Sequence, residues 1–127
     1  MQILLDTNFI LTAVKQKIDI VDRITDITSE SIEWIVPQDV LDELETLKDR
    51  HGMKIKDRFA ARLAFDIMQT LNPVVIELSD KNPNVDIKIV NYIVNKPIVL
   101  ATLDKNLKKR VGNRILTIRG KKKLEFV

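Results

Sequence analysis

Short apolar runs alternate with longer amphipathic segments along the whole chain, and this alternation limits the possible folds. Strands are predicted at QILLD, EWIVP, PVVIEL, PIVLAT and RILTIR, which are residues 2–6, 33–37, 73–78, 97–102 and 114–119. Helices are predicted over residues 8–17, 19–28, 38–48, 54–71, 84–96 and 104–112. Strands that alternate with helices favour a parallel sheet covered on both faces. We therefore expect one α/β domain over 1–127, a three-layer sandwich whose mostly parallel sheet has four to five strands.

Single residues refine this pattern. Pro37 suits the first turn of the helix that follows it, and Gly112 is expected to end the helix at 104–112. The longest helix, 54–71, has apolar residues near one side, beginning with Ile55 and Phe59. Trp34 is expected in the core, and His51 in a solvated loop.

Composition excludes several classes of protein. The 127 residues include no cysteine, so disulfides, zinc–thiolate sites and thiol catalysis are excluded. No apolar run approaches the roughly 20 residues that span a bilayer, and the N-terminus lacks the features of a signal peptide. We expect a cytoplasmic protein with no membrane partner.

Charge is distributed unevenly along the chain. The segment 105–123 carries nine basic residues and no acidic one, while the rest of the chain is acidic on balance. Such a segment suggests a polyanionic partner, although a solvated helix face followed by a frayed tail would show the same run. Its basic residues are Lys105, Lys108, Lys109, Arg110, Arg114, Arg119, Lys121, Lys122 and Lys123.

Two aspartates follow predicted strands. Asp6 comes directly after ILL, and Asp104 comes just after PIVLATL. In parallel α/β sheets, ligands bind beyond the carboxyl ends of the strands, where both aspartates are placed. Aspartate is also a preferred N-cap, and each of these residues precedes a helix, so capping remains the alternative.

Two further acids lie near apolar helix faces. Asp86 shares the predicted stripe of Val90 and Ile93, where an unpaired carboxylate is costly, although a first-turn acid can also bond to free backbone amides. Among the acids of its helix, Glu43 lies nearest to the edge of the apolar face. The alternative interpretation is that Glu43 forms an ion pair with Lys48 or an arginine.

The four acids together indicate a metal site. Clustered carboxylates repel one another, so a cation that neutralises them stabilises the cluster. Oxygen ligands without thiolates favour a hard cation, Mg²⁺ or Mn²⁺. Carboxylates that hold such ions beside a basic surface suit phosphodiester hydrolysis.

The same residues resemble the motifs of PIN-domain ribonucleases, in order and over essentially the whole chain. The matching stretches are LLDTNFIL, VLDELETLK, VDIKIVNYI and ATLDKNLKKR. The resemblance implies a Mg²⁺- or Mn²⁺-dependent endoribonuclease in which Asp6, Glu43, Asp86 and Asp104 are catalytic metal ligands. It also implies supporting hydrogen bonds from Asn8 and Thr102, and it makes the nine basic residues candidates for RNA binding.

The sequence is compatible with two branches of that family and with one other class of protein. VLDELETLK and the segment from Thr102 to Glu125 look most similar to the ribosome-biogenesis branch that processes small-subunit pre-rRNA, in a short archaeal-type form. That branch often has two adjacent acids where this chain has Val85 and Asp86. The alternatives are a VapC-type toxin and a non-catalytic RNA-binding assembly factor. Expected partners are structured RNA or pre-rRNA, a second copy of the chain, and an antitoxin or ribosome-assembly protein.

Overall fold

A computed structural model of the chain describes residues 1–50, 52 and 54–127. The loop position expected for His51 therefore lies outside the described residues. The strands are β1 (Gln2–Leu5), β2 (Glu33–Pro37), β3 (Val74–Ile76), β4 (Ile98–Ala101), β5 (Ile115–Arg119) and β6 (Lys123–Phe126). The helices are α1 (Thr7–Lys15), α2 (Ile20–Ile24), α3 (Gln38–Lys48), α4 (Ile55–Leu71), α5 (Val85–Ile93) and α6 (Lys105–Arg110). No helix in the described ranges is long and apolar enough to cross a membrane.

The six strands form one sheet in the order β3-β2-β1-β4-β5-β6. All neighbouring pairs are parallel except β5 and β6, which are antiparallel. The predicted α/β sandwich with a mostly parallel sheet is thus confirmed, with one strand more than expected. The tail is not frayed, because residues 123–126 pair with β5. The carboxyl ends of β1 and β4 are adjacent, since Leu5 is in register with Ala101.

Helices cover both faces of the sheet, and the alternation of side chains along each strand supplies the two cores. Ile3 and Leu5 of β1 belong to the larger core with α1, α2, α3 and α4. Leu4 points to the smaller core with α5 and α6. Trp34 is buried in the larger core, as expected. The site helices α3 and α5 therefore lie on opposite faces.

Several helices differ from their sequence predictions. The helix expected over 19–28 is limited to α2, Ile20–Ile24, and the helix expected over 84–96 ends at Ile93. In α4 the buried face differs. The buried residues of α4 are Ala60, Ala61, Ala64, Met68 and Leu71. Ile55 and Phe59, expected on the apolar side, are 76% and 58% exposed. The last difference is in α6, which ends at Arg110 because the next residue, Val111, is already extended. Gly112 does not end this helix.

Asn113 joins three segments at the amino-end edge of the sheet. Its side-chain amide nitrogen lies within hydrogen-bonding distance of three backbone carbonyls, those of Ile93 (3.0 Å), Lys96 (3.0 Å) and Ile98 (2.9 Å). These carbonyls belong to the end of α5, the following loop and the start of β4. The contact fixes how α5 returns to the sheet, and so it helps to set the position of Asp86 at the other end of that helix.

Replacing Asn113 tests this connection. Asn113→Ala should lower the free energy of unfolding by about 1–3 kcal/mol, because the carbonyls of Ile93 and Ile98 lose their donor in partly buried contacts. Asn113→Asp should cost more at neutral pH, since it directs a carboxylate at the same carbonyls. Urea unfolding measures both changes, and Asn95→Asp, at an exposed position, is the control. A wild-type midpoint for Asn113→Asp would contradict this account.

Candidate active site at the carboxyl edge of the sheet

Asp6 occupies the carboxyl end of β1, where the ladder to β4 holds it in place. Its backbone N–H donates to the carbonyl of Ala101 at 3.0 Å. The Thr102 hydroxyl donates to Asp6 Oδ2 at 2.8 Å, and the Thr7 backbone N–H donates to Asp6 Oδ1 at 2.9 Å. Asp6 is 7% exposed. The end of one strand therefore holds a nearly buried carboxylate through the end of its neighbour.

Asp104 and Asn8 complete this part of the edge. Asp104 is the N-cap of α6, and its Oδ1 accepts from the backbone N–H groups of Asn106 (2.8 Å) and Leu107 (3.1 Å). The side-chain oxygen of Asn8 accepts from the backbone N–H of Leu103 at 3.0 Å. Asn8, in the first turn of α1, thereby fixes the loop that leads from β4 to Asp104.

Capping does not use all the oxygen lone pairs of these aspartates. Both amides that Asp104 caps bond to one oxygen, Oδ1, and each oxygen of Asp6 accepts one hydrogen bond. A carboxylate oxygen has two lone pairs, so each group can cap a helix and still offer an oxygen to a ligand. The two interpretations of the sequence are compatible in this structure.

Asp86 lies in the first turn of α5. Asn84 is the N-cap, and its side-chain oxygen accepts from the backbone N–H groups of Asp86 (2.9 Å) and Ile87 (3.4 Å). Because Asn84 takes these amides, the Asp86 carboxylate is not needed for capping. Burial and the nearby charge of Asp104 raise the pKa of Asp86, while the Arg110 guanidinium acts in the opposite direction.

Thr7, which is not among the predicted site residues, holds Glu43. The hydroxyl of Thr7 donates to Glu43 Oε2 at 2.9 Å, although Glu43 is exposed as a whole residue. The proposed partner of Glu43, Lys48, pairs instead with Glu45 at 2.6 Å, so that alternative is wrong. The position of Thr7 directly after Asp6 is the only sequence signal for this role.

The four acids influence one another electrostatically. Burial raises the pKa of Asp6 to about 6, and the charges of Asp86 and Glu43 add to the increase, against the lowering effect of the hydrogen bonds from Thr102 and Thr7. Asp104 acts in turn on the pKa of Asp86. Such mutual repulsion requires the carboxylates to lie near one another, although they are far apart in the sequence. A strongly perturbed carboxylate in a cluster is typical of functional sites.

The chemistry of this cluster fits a hard divalent cation. All four predicted ligands offer carboxylate oxygen, the donor that Mg²⁺ and Mn²⁺ prefer. A cation would offset both the cost of burying the Asp6 charge and the smaller repulsion from Asp86 and Glu43. As placed, no three acidic or imidazole side chains of residues 1–50, 52 and 54–127 are close enough to bind one ion together.

An ion pair crosses the edge of the sheet beside this cluster. Lys88 Nζ lies 2.9 Å from Asp39 Oδ2, and the two side chains are only 18% and 23% exposed. Asp39 is in the first turn of α3, and Lys88 is in α5, so the pair connects the two helical layers. Sequence reasoning missed it because the partners are 49 positions apart.

The nine basic residues of 105–123 do not form one surface. Lys105, Lys109, Arg110 and Lys121–Lys123 are exposed. Three others have partners: Lys108 donates to the Thr117 hydroxyl at 3.1 Å, Arg119 pairs with Glu125 at 2.6 Å, and Arg114 stacks on the Phe126 ring at 4.2 Å.

A three-layer α/β fold with an acidic cluster at the carboxyl edge of its sheet thus defines the class of protein. The sequence matches the family described as PIN like domain over residues 3–121, so the chain belongs to the PIN-like domain family. Ribonuclease VapC4 of Methanocaldococcus jannaschii is 29% identical over 126 residues, which cover 95% of this chain and 92% of that protein.

Two solved structures are similar over nearly the whole chain. The PIN domain endonuclease Utp24 superposes with a TM-score of 0.76 at 27% identity, covering 98% of this chain and 90% of that chain. VapBC2 from Rickettsia felis, solved bound to a DNA fragment from its promoter, gives a TM-score of 0.64 at 15% identity over 94% of this chain and 100% of the other. The second similarity is one of fold.

The raised pKa of Asp6 makes a prediction about stability without divalent ions. Its folded-state pKa, about 6, exceeds the ordinary 3.8, so ionisation of Asp6 disfavours the folded state as pH rises through this range. Asp6→Asn should therefore be more stable than the wild type at pH 7–8, by up to about 3 kcal/mol. The difference should disappear near pH 4.

The measurement is urea unfolding in EDTA across that pH range. Asp57→Asn is a control of opposite sign, because hydrogen bonding to Lys15 lowers the pKa of Asp57. That variant should lose stability at neutral pH and approach the wild type in acid. If Asp6→Asn were destabilised equally at every pH, the buried charge would not be the cause.

Proposed function

We propose that this protein is a divalent-metal-dependent endoribonuclease that hydrolyses RNA phosphodiester bonds, and that its natural task is rRNA processing. The observation that carries the proposal is the placement of Asp6 and Asp104 after the adjacent parallel strands β1 and β4, with Glu43 held beside Asp6 by the Thr7 hydroxyl. Family membership and the similarity to a ribonuclease and to a PIN domain endonuclease support it. The rRNA assignment is based on the resemblance of VLDELETLK and of the segment from Thr102 to Glu125 to the ribosome-biogenesis branch.

In the proposed reaction, the oxygen of a water molecule bonds to phosphorus while the bond from phosphorus to the 3′ oxygen breaks, and a proton passes to the departing oxygen. A Mg²⁺ or Mn²⁺ ion held by the four acids would supply charge stabilisation on the phosphate oxygens. The chain's own residues position the ligands. Thr102 and the Thr7 amide orient Asp6, Thr7 holds Glu43, and Asn8 fixes the loop before Asp104.

Basic residues next to the acids would bind the RNA backbone. Lys105 directly follows Asp104, and Arg110 is close enough to Asp86 to affect its pKa. Their exposed cations can contact phosphates near the reacting group, which positions the strand without reading its sequence.

A toxin role is the second candidate function, and a specific observation favours it. VapC4, a ribonuclease, matches 95% of this chain at 29% identity. Under this alternative the chemistry is the same, but the substrate is RNA in a growing cell and an antitoxin is the partner. Expression of the wild-type chain in a bacterial host, compared with Asp6→Asn, would distinguish the two. Growth arrest by the wild type alone would favour the toxin.

The decisive experiment for catalysis compares two glutamates of the same helix. Glu43→Gln should lower kcat by about 10²-fold or more, the range seen when one positioned charged group is removed from a catalytic site. Glu45→Gln should leave kcat near the wild-type value, because Glu45 pairs with Lys48 instead of facing the acids. Cleavage of a labelled structured RNA with Mn²⁺, Mg²⁺ or EDTA measures both.

A binding measurement separates this proposal from a non-catalytic assembly factor. In a calorimetric titration, Mn²⁺ should bind the wild type and should bind Asp104→Asn with lower affinity. RNA that binds but is never cut with either metal would favour the assembly factor. If Glu43→Gln and Glu45→Gln cut RNA equally fast, Glu43 has no part in the catalytic site.

A further inference from the structure

The turn between β5 and β6 lies at the same edge of the sheet as the four acids. β5 is parallel to β4, so its last residue, Arg119, is at the carboxyl edge. β6 is antiparallel and begins at that edge with Lys123. Adjacent strands are about 4.8 Å apart, so this turn lies roughly 5–10 Å to the side of β4. Because β5 continues three residues past the Leu116–Ala101 pair, the turn also projects roughly 10 Å beyond the end of β4. Asp104 follows the end of β4, so the turn is its neighbour along the edge.

Six exposed cations gather on this side of the acids, and we call them the carboxyl-edge basic surface. They are Lys105, Lys109 and Arg110 of α6, and Lys121, Lys122 and Lys123 of the turn. Within the described part of the chain, none of the six forms an ion pair. Their charge is therefore available to an external anion. The neighbouring Lys108 and Arg119 differ, since contacts inside the protein already use them.

The other end of the same edge has the opposite charge. The start of α3 presents Asp39, Asp42 and Glu43 there. The ion pair of Asp39 with Lys88 also connects the two helical layers at this end. Negative charge repels phosphate, so the potential along the edge favours a polyanion only from the acids toward β6.

The backbone of the turn is in the left-handed region at one of these lysines. Lys122 has a φ of 66°, where lysine is disfavoured and glycine or asparagine is preferred. Gly120, in the same turn, has a φ of 59°. Glycine would therefore suit the backbone at position 122, which makes it possible to remove the charge of Lys122 without straining the turn.

We infer that the carboxyl-edge basic surface is a one-sided contact site for the RNA backbone. It binds phosphates on only one side of the cleaved bond, next to Asp104, while the strand on the other side of the bond is free of the protein's cations. This inference rests on the proposed function, since it places the RNA relative to the cleavage site. Contacts of this kind set the position of the RNA strand on the protein and the affinity for RNA, and they make that affinity depend on salt concentration.

The test compares two triple variants that change the net charge equally. The turn variant carries Lys121→Ala, Lys122→Ala and Lys123→Ala. The control carries Lys17→Ala, Lys81→Ala and Lys96→Ala, all exposed positions outside the surface. Lys17 also has a positive φ, 57°, so each variant replaces one left-handed lysine.

Binding of a short labelled single-stranded RNA is measured in EDTA at several salt concentrations, so that no cutting is needed. In the turn variant, the slope of log K against log salt should fall by about 0.7 for each lost phosphate contact, and Kd should rise on the order of tenfold. The control should keep the wild-type slope. Equal losses in the two variants, or an unchanged slope in the turn variant, would overturn the inference.

Two further measurements separate the inference from folding and from catalysis. Lys122→Gly should keep or raise Tm yet bind RNA more weakly, a combination that a purely structural lysine would not give. With metal present, the turn variant should raise KM and leave kcat unchanged. A wild-type chain that binds RNA as expected but never cuts it would overturn the proposed function alone. Cutting with a wild-type KM by the turn variant would overturn this inference alone.

Discussion

Burial of a carboxylate at the end of a parallel strand is the constraint on which the rest of the structure depends. Asp6 is nearly buried, and two other acids act on it. A charge in that position is tolerated only if donors surround it. The Thr102 hydroxyl, just after β4, and the first amide of α1 supply those donors. The sheet order that places β1 beside β4 is therefore also what makes the acidic site possible.

Much of the fold could be predicted because each strand and helix has its own local pattern. The runs EWIVP and QDVLDELETLK form β2 and α3 with the predicted bounds. β6 was missed because it alternates charged and apolar residues after a basic run, so its pairing depends on β5. The exposed side of α4 was assigned wrongly because its buried face consists largely of alanines, which hydropathy distinguishes poorly from the neighbouring residues.

In the candidate site, too, local patterns allowed some residues to be predicted, whereas contacts between residues distant in the sequence could not be. The four acids could be selected because each lies at a recognisable place, a strand end or the first turns of a helix. The side-chain contacts in and beside this group of acids could not be predicted from the sequence. Thr7 and Glu43 are 36 positions apart, and Lys88 and Asp39 are 49 apart. The first pair depends on the packing of α1 beside α3, and the second on the positions of α3 and α5 on opposite faces of the sheet, which periodicity does not specify.

The antiparallel β6 has a consequence for how such a protein can diversify. A parallel strand must be joined to its neighbour by a long crossover, whereas a hairpin needs only a few residues. The turn at 120–122 can therefore change in length or composition without moving any strand that carries an acid. Related PIN-like domains should therefore differ more in this hairpin than in their acidic edges.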